Sequence, residues 1–202
     1  MLEAILSCGI KKLNPILFDY GCGFGYSMSL ARELGFDVYG VDIDSERLDL
    51  CRAQGLKVAH PEEFNAEYPD VRADVVLWQS NIEHLANPNT AAAFIEKICV
   101  KDTVLFVNGV TPNLITIEKR KGQFVKAHFV EHINYFPIAT LDRFMAGYGF
   151  GPLKCVKVFE IKSTKDAVLY LGSYLAERIL GFNASSCFKG FFERLYRYDK
   201  CK

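Results

Sequence analysis

The sequence lacks the features that mark nucleic-acid-binding, disulfide-rich and metal-binding proteins. Its 24 lysines and arginines balance 24 aspartates and glutamates, so no nucleic-acid partner is expected, because such surfaces need a basic excess. The seven cysteines include no C-x-x-C pair. This argues against a disulfide framework or a structural zinc site and favours a reducing, cytoplasmic location. No metal site is predicted.

Long hydrophobic runs are also missing. The most apolar late segment, residues 167–182, is interrupted by Glu177 and Arg178, so no transmembrane segment is expected. The apolar start of the chain is too short for a signal peptide. No repeat, low-complexity tract or linker divides the sequence, and 202 residues suffice for one domain with a full core.

Strand and helix patterns alternate along most of the chain, which predicts an α/β fold with a doubly wound, mostly parallel sheet. Strands are predicted at residues 16–19, 37–41, 56–59, 73–78, 103–107 and 153–161, and helices at 26–34, 44–54, 90–98 and 141–146. Residues 108–136 are predicted to form a long loop. We divide the chain into a core, residues 1–162, and a helical, aromatic-rich C-terminal appendage of the same domain, residues 163–202.

The most informative segment is Phe18-Asp19-Tyr20-Gly21-Cys22-Gly23-Phe24-Gly25, between the first strand and the first helix. A strand, a tight glycine turn and a helix bring bare backbone against a nucleotide-like ligand. The glycines alternate as G-x-G-x-G. Tyr26 stands where a dinucleotide-binding fingerprint has its third glycine, which disfavours an NAD(P)-dependent oxidoreductase.

Two aspartates sharpen this prediction. Asp42 ends the second strand, where a carboxylate can accept hydrogen bonds from both ribose hydroxyls of an adenosyl group. Asp19 ends the first strand beside the glycines. A carboxylate there would repel a pyrophosphate but suits a cationic ammonium group; its alternative role is to brace the turn.

The same residues resemble motif I of the class I S-adenosylmethionine-dependent methyltransferases, and the resemblance extends over residues 16–150. Residues 74–85, which end in Glu83-His84-Leu85, are similar to the fourth-strand region of the small-molecule methyltransferases. Thr111-Pro112-Asn113 resembles the exit of their fifth strand, and residues 132–136, which run from His132 to Phe136, resemble a late motif of the same subgroup. The class normally ends with an antiparallel hairpin of strands six and seven, but no seventh strand is predicted after residue 161.

The resemblance implies the Rossmann-like class I methyltransferase fold, S-adenosyl-L-methionine as cofactor and a small-molecule methyl acceptor, such as a sugar, lipid or metabolite hydroxyl. It also implies roles for individual residues. Gly21, Cys22, Gly23 and Gly25 would line the methionine part of the cofactor. Asp42 would bind the ribose, and Ile43 would pack on the adenine. Glu63, or its neighbours Glu62 and Phe64, would reach the adenine edge, and Gln79 and Ser80 would face the sulfonium.

The histidines are the candidate bases if the acceptor is a hydroxyl. His84 follows the fourth strand at the cofactor rim, and His132 lies in the lid region; we predict these two as catalytic, with loop ordering as the alternative for His84. His128 and His132 are four residues apart and could bind a metal on a helix, but a third ligand is missing there. His60 is predicted to be a loop residue.

Two further alternatives stay open at the sequence level. A methyltransferase-like protein could bind the cofactor and serve as a catalytically silent regulatory or assembly subunit. The aromatic residues of the tail could pack in the core, cover the acceptor or form a homodimer surface; these residues are Phe188, Phe191, Phe192, Tyr196 and Tyr198.

Overall fold

The computed structural model describes Ile5 and residues 8–10, 12–110, 132–153 and 191–200. The strands are β1 (Ile16–Tyr20), β2 (Asp37–Val41), β3 (Lys57–Ala59), β4 (Ala73–Trp78), β5 (Cys99–Val110), β6 (Phe150–Pro152) and β7 (Phe191–Tyr198). The helices are α1 (Tyr26–Glu33), α2 (Ser45–Ala53), α3 (Phe64–Glu67), α4 (Pro88–Ile98) and α5 (Ile138–Gly147).

These strands form one seven-stranded sheet in the order β3-β2-β1-β4-β5-β7-β6. The first five strands of that order are parallel, and β7 runs antiparallel to both β5 and β6. The strand order reverses between β1 and β4, and in such sheets a ligand binds at the carboxyl ends of the strands beside that reversal. The predicted α/β, Rossmann-like, mostly parallel fold is confirmed.

The largest correction concerns the C-terminal tail. A helix was predicted throughout residues 163–202, but Phe191–Tyr198 forms β7. Tyr196 and Tyr198 are fully buried and lie two positions apart, as side chains on one face of a strand do. They therefore pack in the core, which was one of the three alternatives for the tail aromatics. Residues 163–190 lie outside the described part of the chain.

The other differences are at element boundaries. β6 begins at Phe150, before the predicted sixth strand, of which only residue 153 is described. β5 begins four residues before the predicted strand and runs on to Val110. The short helix α3 was not predicted, because its four residues are too few to reveal a helical period. Asp44, the predicted start of the second helix and a residue type that favours the cap position, caps α2: its side chain accepts hydrogen bonds from the backbone N–H groups of Glu46 and Arg47.

The sheet carries a hydrophobic cluster on each face. Alternate residues of β4 divide between the two clusters, with Val76 and Trp78 in one and Val75 and Leu77 in the other. The first cluster is rich in aromatic contacts; the rings of Phe18 and Phe64, for example, meet edge to face at 5.0 Å. A sheet buried on both faces gives β4 its continuous apolar sequence.

The strand β7 is also tied to α5 by a polar network. The Arg194 guanidinium donates to the Asp142 carboxylate at 2.7 Å, and the Tyr196 hydroxyl donates to the same carboxylate at 2.8 Å. The pKa of Tyr196 is raised, mainly by burial. The hydroxyl therefore keeps its proton and donates a hydrogen bond to the carboxylate. No helix among the described residues is long and apolar enough to cross a membrane.

Candidate functional site

The glycine loop lies at the carboxyl ends of β1 and β2. The N–H groups of Gly21 and Cys22 donate to the carbonyl oxygen of Val41 at 2.8 and 2.9 Å. The N–H of Gly23 donates to the Asp42 carboxylate at 2.8 Å. Gly25, with a φ of 74°, precedes the first turn of α1. The loop is therefore fastened to the end of β2 by these hydrogen bonds.

Two glycines of this loop have different steric roles. Both Gly21 (φ 82°) and Gly23 (φ 54°) have the left-handed backbone that favours glycine. A Cβ on Gly21 would lie 2.5 Å from the Asn81 side-chain nitrogen, whereas a Cβ on Gly23 would meet no atom within 4 Å. Gly21 thus lets the loop pack closely on the segment after β4, and Gly23 borders open space.

The Asp42 carboxylate holds the loop and keeps acceptor capacity. One oxygen accepts from Gly23 and the other accepts from the Asp44 N–H at 3.0 Å. Because each carboxylate oxygen has two lone pairs, capacity remains for ribose hydroxyls. The neighbouring Ile43 is 80% exposed, so its side chain is available for the predicted contact with an adenine ring.

Asp19 is the most perturbed acid of the loop. It is 3% exposed, and its pKa is raised from 3.8 to about 7, first by desolvation and then by the charge of Asp42. Burial of Cys22 and the nearby charge of Asp19 raise the pKa of the Cys22 thiol, so this side chain is uncharged. A cationic ligand group beside Asp19 would favour its ionised form.

Gln79 and Ser80 connect the end of β4 to its neighbours. The Gln79 amide donates to the Ser27 hydroxyl on α1 at 3.1 Å. Ser80 has a φ of 45°, and its N–H donates to the Asn108 side chain on β5 at 2.7 Å. Asn108 was not predicted as a site residue, because a polar residue near the end of a strand carries no signal of its partner.

The predicted adenine-edge residues differ in accessibility. Glu62 and Glu63 are exposed at the start of α3. Phe64 is fully buried among the aromatic rings of the core, which removes it as a ligand contact. The carboxylate nearest to an adenine at this edge would therefore come from Glu62 or Glu63.

His84 and His132 lie side by side beyond the end of β4, although they are far apart in the sequence. Their ring centroids are 4.8 Å apart. The buried Glu83 adjoins them, and within the described residues its Oε2 atom has no hydrogen-bond partner. Burial raises the pKa of Glu83. Ligand atoms of the three side chains lie within 4.8 Å of one another, so the cluster could accept a proton or hold a divalent cation.

The other histidines are placed differently. His60 follows β3, where its ring nitrogen Nδ1 lies 3.4 Å from the N–H of Glu62, in keeping with a loop role. His128 lies outside the described residues.

One residue that the sequence did not single out fastens the two histidine segments together. The Asn134 side-chain amide donates to the carbonyl oxygens of Ile82 at 3.2 Å and Leu85 at 2.5 Å. The backbone N–H groups of Ile133 and Asn134 donate to the carbonyl oxygen of Glu83. In the sequence, Asn134 stands out only as a polar residue between two larger side chains, Ile133 and Tyr135.

Comparison with known proteins places this geometry in a family. A family profile described as "Methyltransferase domain" matches residues 2–154. The ubiquinone biosynthesis O-methyltransferase of Proteus mirabilis is 30% identical over 136 residues, which cover 62% of this chain and 52% of that protein. The protein of the same name from Shewanella pealeana is 29% identical over 111 residues, 48% of this chain and 44% of its own length. The chain thus spans about half the length of the curated relatives it matches.

Solved structures share the fold at low sequence identity. An S-adenosylmethionine-dependent methyltransferase from Mesorhizobium loti superposes with a TM-score of 0.61 at 15% identity, covering 96% of both chains. The magnesium protoporphyrin IX methyltransferase of Synechocystis PCC 6803, solved with bound S-adenosylhomocysteine, has a TM-score of 0.60 at 14% identity and covers 98% of this chain and 80% of that one. With a family match over more than half of its length, the chain belongs to the methyltransferase domain family, and its predicted relationship to the class I S-adenosylmethionine-dependent methyltransferases is confirmed.

Proposed function

We propose that this protein transfers a methyl group from S-adenosyl-L-methionine to a hydroxyl of a small molecule. The observation that carries the proposal is the close packing of the glycine loop on the segment that bears the histidines. Gly21 meets the Asn81 side chain, and His84 follows three residues later with His132 against it. The cofactor side and the acceptor side therefore share the exit of β4.

The residues present fit the cofactor. Asp19 would hold the ammonium group, Asp42 the ribose, and Ile43 one face of the adenine, while Gln79 and Ser80 border the reacting end. The fit rests on the buried position of Asp19, whose nearby charge is the carboxylate of Asp42, on the open space at Gly23 and on the remaining lone pairs of Asp42. When bound, S-adenosylmethionine would supply a methyl group on a sulfonium sulfur, which leaves as the neutral thioether of S-adenosylhomocysteine.

The chain's own contribution to the chemistry is alignment and proton acceptance. Alignment of bound reactants can lower a barrier by roughly 7–11 kcal/mol. His84 or His132 would take the proton of the acceptor hydroxyl on a ring nitrogen. The names of the curated relatives, both O-methyltransferases, support oxygen as the methylated atom.

The cofactor half of the proposal is tested by calorimetry with S-adenosylmethionine and S-adenosylhomocysteine. We expect both to bind the wild type and Asp42→Ala to weaken both. Asp44→Ala is the matched control, because Asp44 lies two residues away and its exposed carboxylate caps α2. Equal affinities of the wild type and Asp42→Ala would refute the ribose assignment. Tight NAD binding without adenosylmethionine binding would refute the family function.

The acceptor half is tested by following adenosylhomocysteine release with phenols, catechols and soluble sugars. We expect His84→Ala or His132→Ala to lower kcat by about 100-fold or more, as for loss of a general base, with His60→Ala as the control. Parallel assays with EDTA and with Mg²⁺ determine whether the cluster acts through a cation. Cofactor binding with no turnover of any acceptor would favour the alternative, a catalytically silent methyltransferase-like binding protein.

We also propose that the C-terminal extension belongs to the same domain as the core. The support is the position of β7, which pairs with β5 on one side and β6 on the other. A homodimer stays a prediction, and light scattering at several protein concentrations is the measurement that tests it.

A further inference from the structure

We propose that Asn134 is a positioning residue that holds His132 against His84 on the acceptor side. This inference rests on the proposed function, because Asn134 would affect methyl transfer only by holding the two histidines that are proposed as bases. Asn134 itself is not assigned a contact with the acceptor or the cofactor.

Among the described residues, the hydrogen bonds that Asn134 donates go to one short turn, residues 82–85. Its side-chain nitrogen donates one hydrogen bond to the carbonyl oxygen of Ile82 and one to that of Leu85. The carbonyl oxygen between them, on Glu83, accepts from the N–H of Ile133 at 2.9 Å and from that of Asn134 at 3.0 Å. A carbonyl oxygen has two lone pairs, so one acceptor can serve both donors.

This pattern requires a primary amide at position 134. A nitrogen with two N–H groups can donate to two carbonyl oxygens at once, whereas a serine hydroxyl has one donor. An ionised aspartate has none, and it would place a negative oxygen against the carbonyl oxygens of Ile82 and Leu85. The isosteric Asn134→Asp substitution is therefore expected to open the contact, and Asn134→Leu is expected to remove it without adding charge.

Asn134 joins the two segments of the chain that carry the histidines. His84 lies within the turn of residues 82–85, and His132 lies two residues before Asn134. The ring contact at 4.8 Å therefore forms between segments that the amide fastens directly. The hydrogen bonds of Asn134 reach none of the glycine-loop residues, so its loss should act on the acceptor side and leave the cofactor side intact.

A measurement that needs no turnover tests the placement. In protein labelled at histidine, we expect a nuclear Overhauser effect between the rings of His84 and His132 in the wild type. It should disappear in Asn134→Asp and Asn134→Leu and remain in Asn89→Leu. Asn89 is the matched control, because its exposed side-chain amide bonds with Asn87 and Tyr148, both of which lie outside the turn of residues 82–85 and the segment of residues 132–134. A persistent effect in both Asn134 variants would overturn the proposal.

Calorimetry with S-adenosylhomocysteine shows whether each variant is folded. We expect binding by both Asn134 variants to match the wild type. If neither variant binds or gives a dispersed spectrum, Asn134 is a general stability residue and the proposal is wrong. Asn134→Gln keeps both donors on a longer side chain, and partial recovery of the ring contact in this variant would support the requirement for an amide.

Turnover, once an acceptor is found, separates positioning from general stability. We expect Asn134→Leu to lower kcat by about 100-fold, as misplacement by about 1 Å can do, with an unchanged KM for the cofactor. In a His132→Ala background the same substitution should cost little more, because its effect passes through His132. If the two substitutions lower kcat by independent factors that multiply in the double variant, the proposal is overturned. If no acceptor reacts, the proposed function fails, and the ring contact still decides the role of Asn134.

Discussion

Replacement of Asp19 by asparagine should stabilise the protein without ligand and weaken its cofactor binding. Burial and Asp42 raise the pKa of Asp19 from 3.8 to about 7. At 1.36 kcal/mol for each unit, ionisation of this carboxyl in the folded chain costs roughly 4 kcal/mol more than in the unfolded chain. The Asp19→Asn side chain has nearly the same shape and never ionises, so it avoids this cost.

The sign of the pH dependence follows from the direction of the shift. Between pH 4 and 7 the folded state binds the proton of Asp19 more tightly than the unfolded state does. The contribution of Asp19 to the free energy of unfolding is therefore greatest below pH 4, falls as the pH rises and levels off above pH 7. The free energy of unfolding of Asp19→Asn should not show this decline, so the stability difference between this variant and the wild type should grow from pH 4 to pH 8.

Chemical denaturation at pH 5, 6, 7 and 8 measures this difference, with Asp49→Asn as the control. Asp49 is exposed and, within the described part of the chain, pairs with Arg52 alone, so its substitution should change stability by less than about 1 kcal/mol. Parallel pH profiles of the wild type and Asp19→Asn would refute the assignment of the shifted proton to Asp19.

The cofactor should respond in the opposite way. A cationic ammonium group favours ionised Asp19, so below pH 7 the affinity of the wild type for S-adenosylmethionine should fall by up to tenfold for each pH unit. Asp19→Asn should bind more weakly at pH 8 and show a flatter profile, as measured by calorimetry. Equal affinity of the two proteins at pH 8 would refute the ammonium contact.

Two further substitution pairs test the site and the sheet. Gly21→Ala places a Cβ against Asn81 and should cost roughly 3 kcal/mol in the free energy of unfolding. Gly23→Ala, with no atom nearby, should cost about 1–2 kcal/mol yet weaken cofactor binding; equal stability losses would contradict the steric difference. Tyr196→Phe removes a buried hydrogen bond to a carboxylate and should cost roughly 1–3 kcal/mol in thermal denaturation. Tyr26→Phe, at a side chain that is 79% exposed, should leave the stability unchanged. If Tyr196→Phe is as stable as the wild type, the hydrogen bond to Asp142 does not contribute to stability.

The sequence could predict the parts of this fold whose signals are local. The turn glycines, the Asp44 cap and the apolar run of β4 are each set by neighbouring residues, and the structure has them where expected. The aromatic segment that forms β7 was ambiguous, because its apolar residues match the spacing of both a strand and a helix face. Its partners on β5 are decided only by tertiary pairing.

The same distinction applies to the candidate site. Asp19, Gly21 and Asp42 lie beside one another as the strand ends predicted, since a parallel sheet brings those ends to one edge. Asn108 and Asn134 were missed because an amide shows its function only through a partner that is distant in sequence. The Asn134 amide bonds the turn that carries His84 to the segment that carries His132, so the two histidines could be named from the sequence but their contact could not be predicted.

The pairing of β5 with β7 has a consequence for how the chain is made. During synthesis β5 emerges well before Phe191–Tyr198, and until then its edge presents unpaired N–H and C=O groups. An open strand edge on a nascent chain is a template for association with other chains. The short β6 also waits for β7, its pairing partner in the sheet. A fragment that stops at residue 162 should therefore aggregate, and release of the intact chain at low concentration should favour its correct folding.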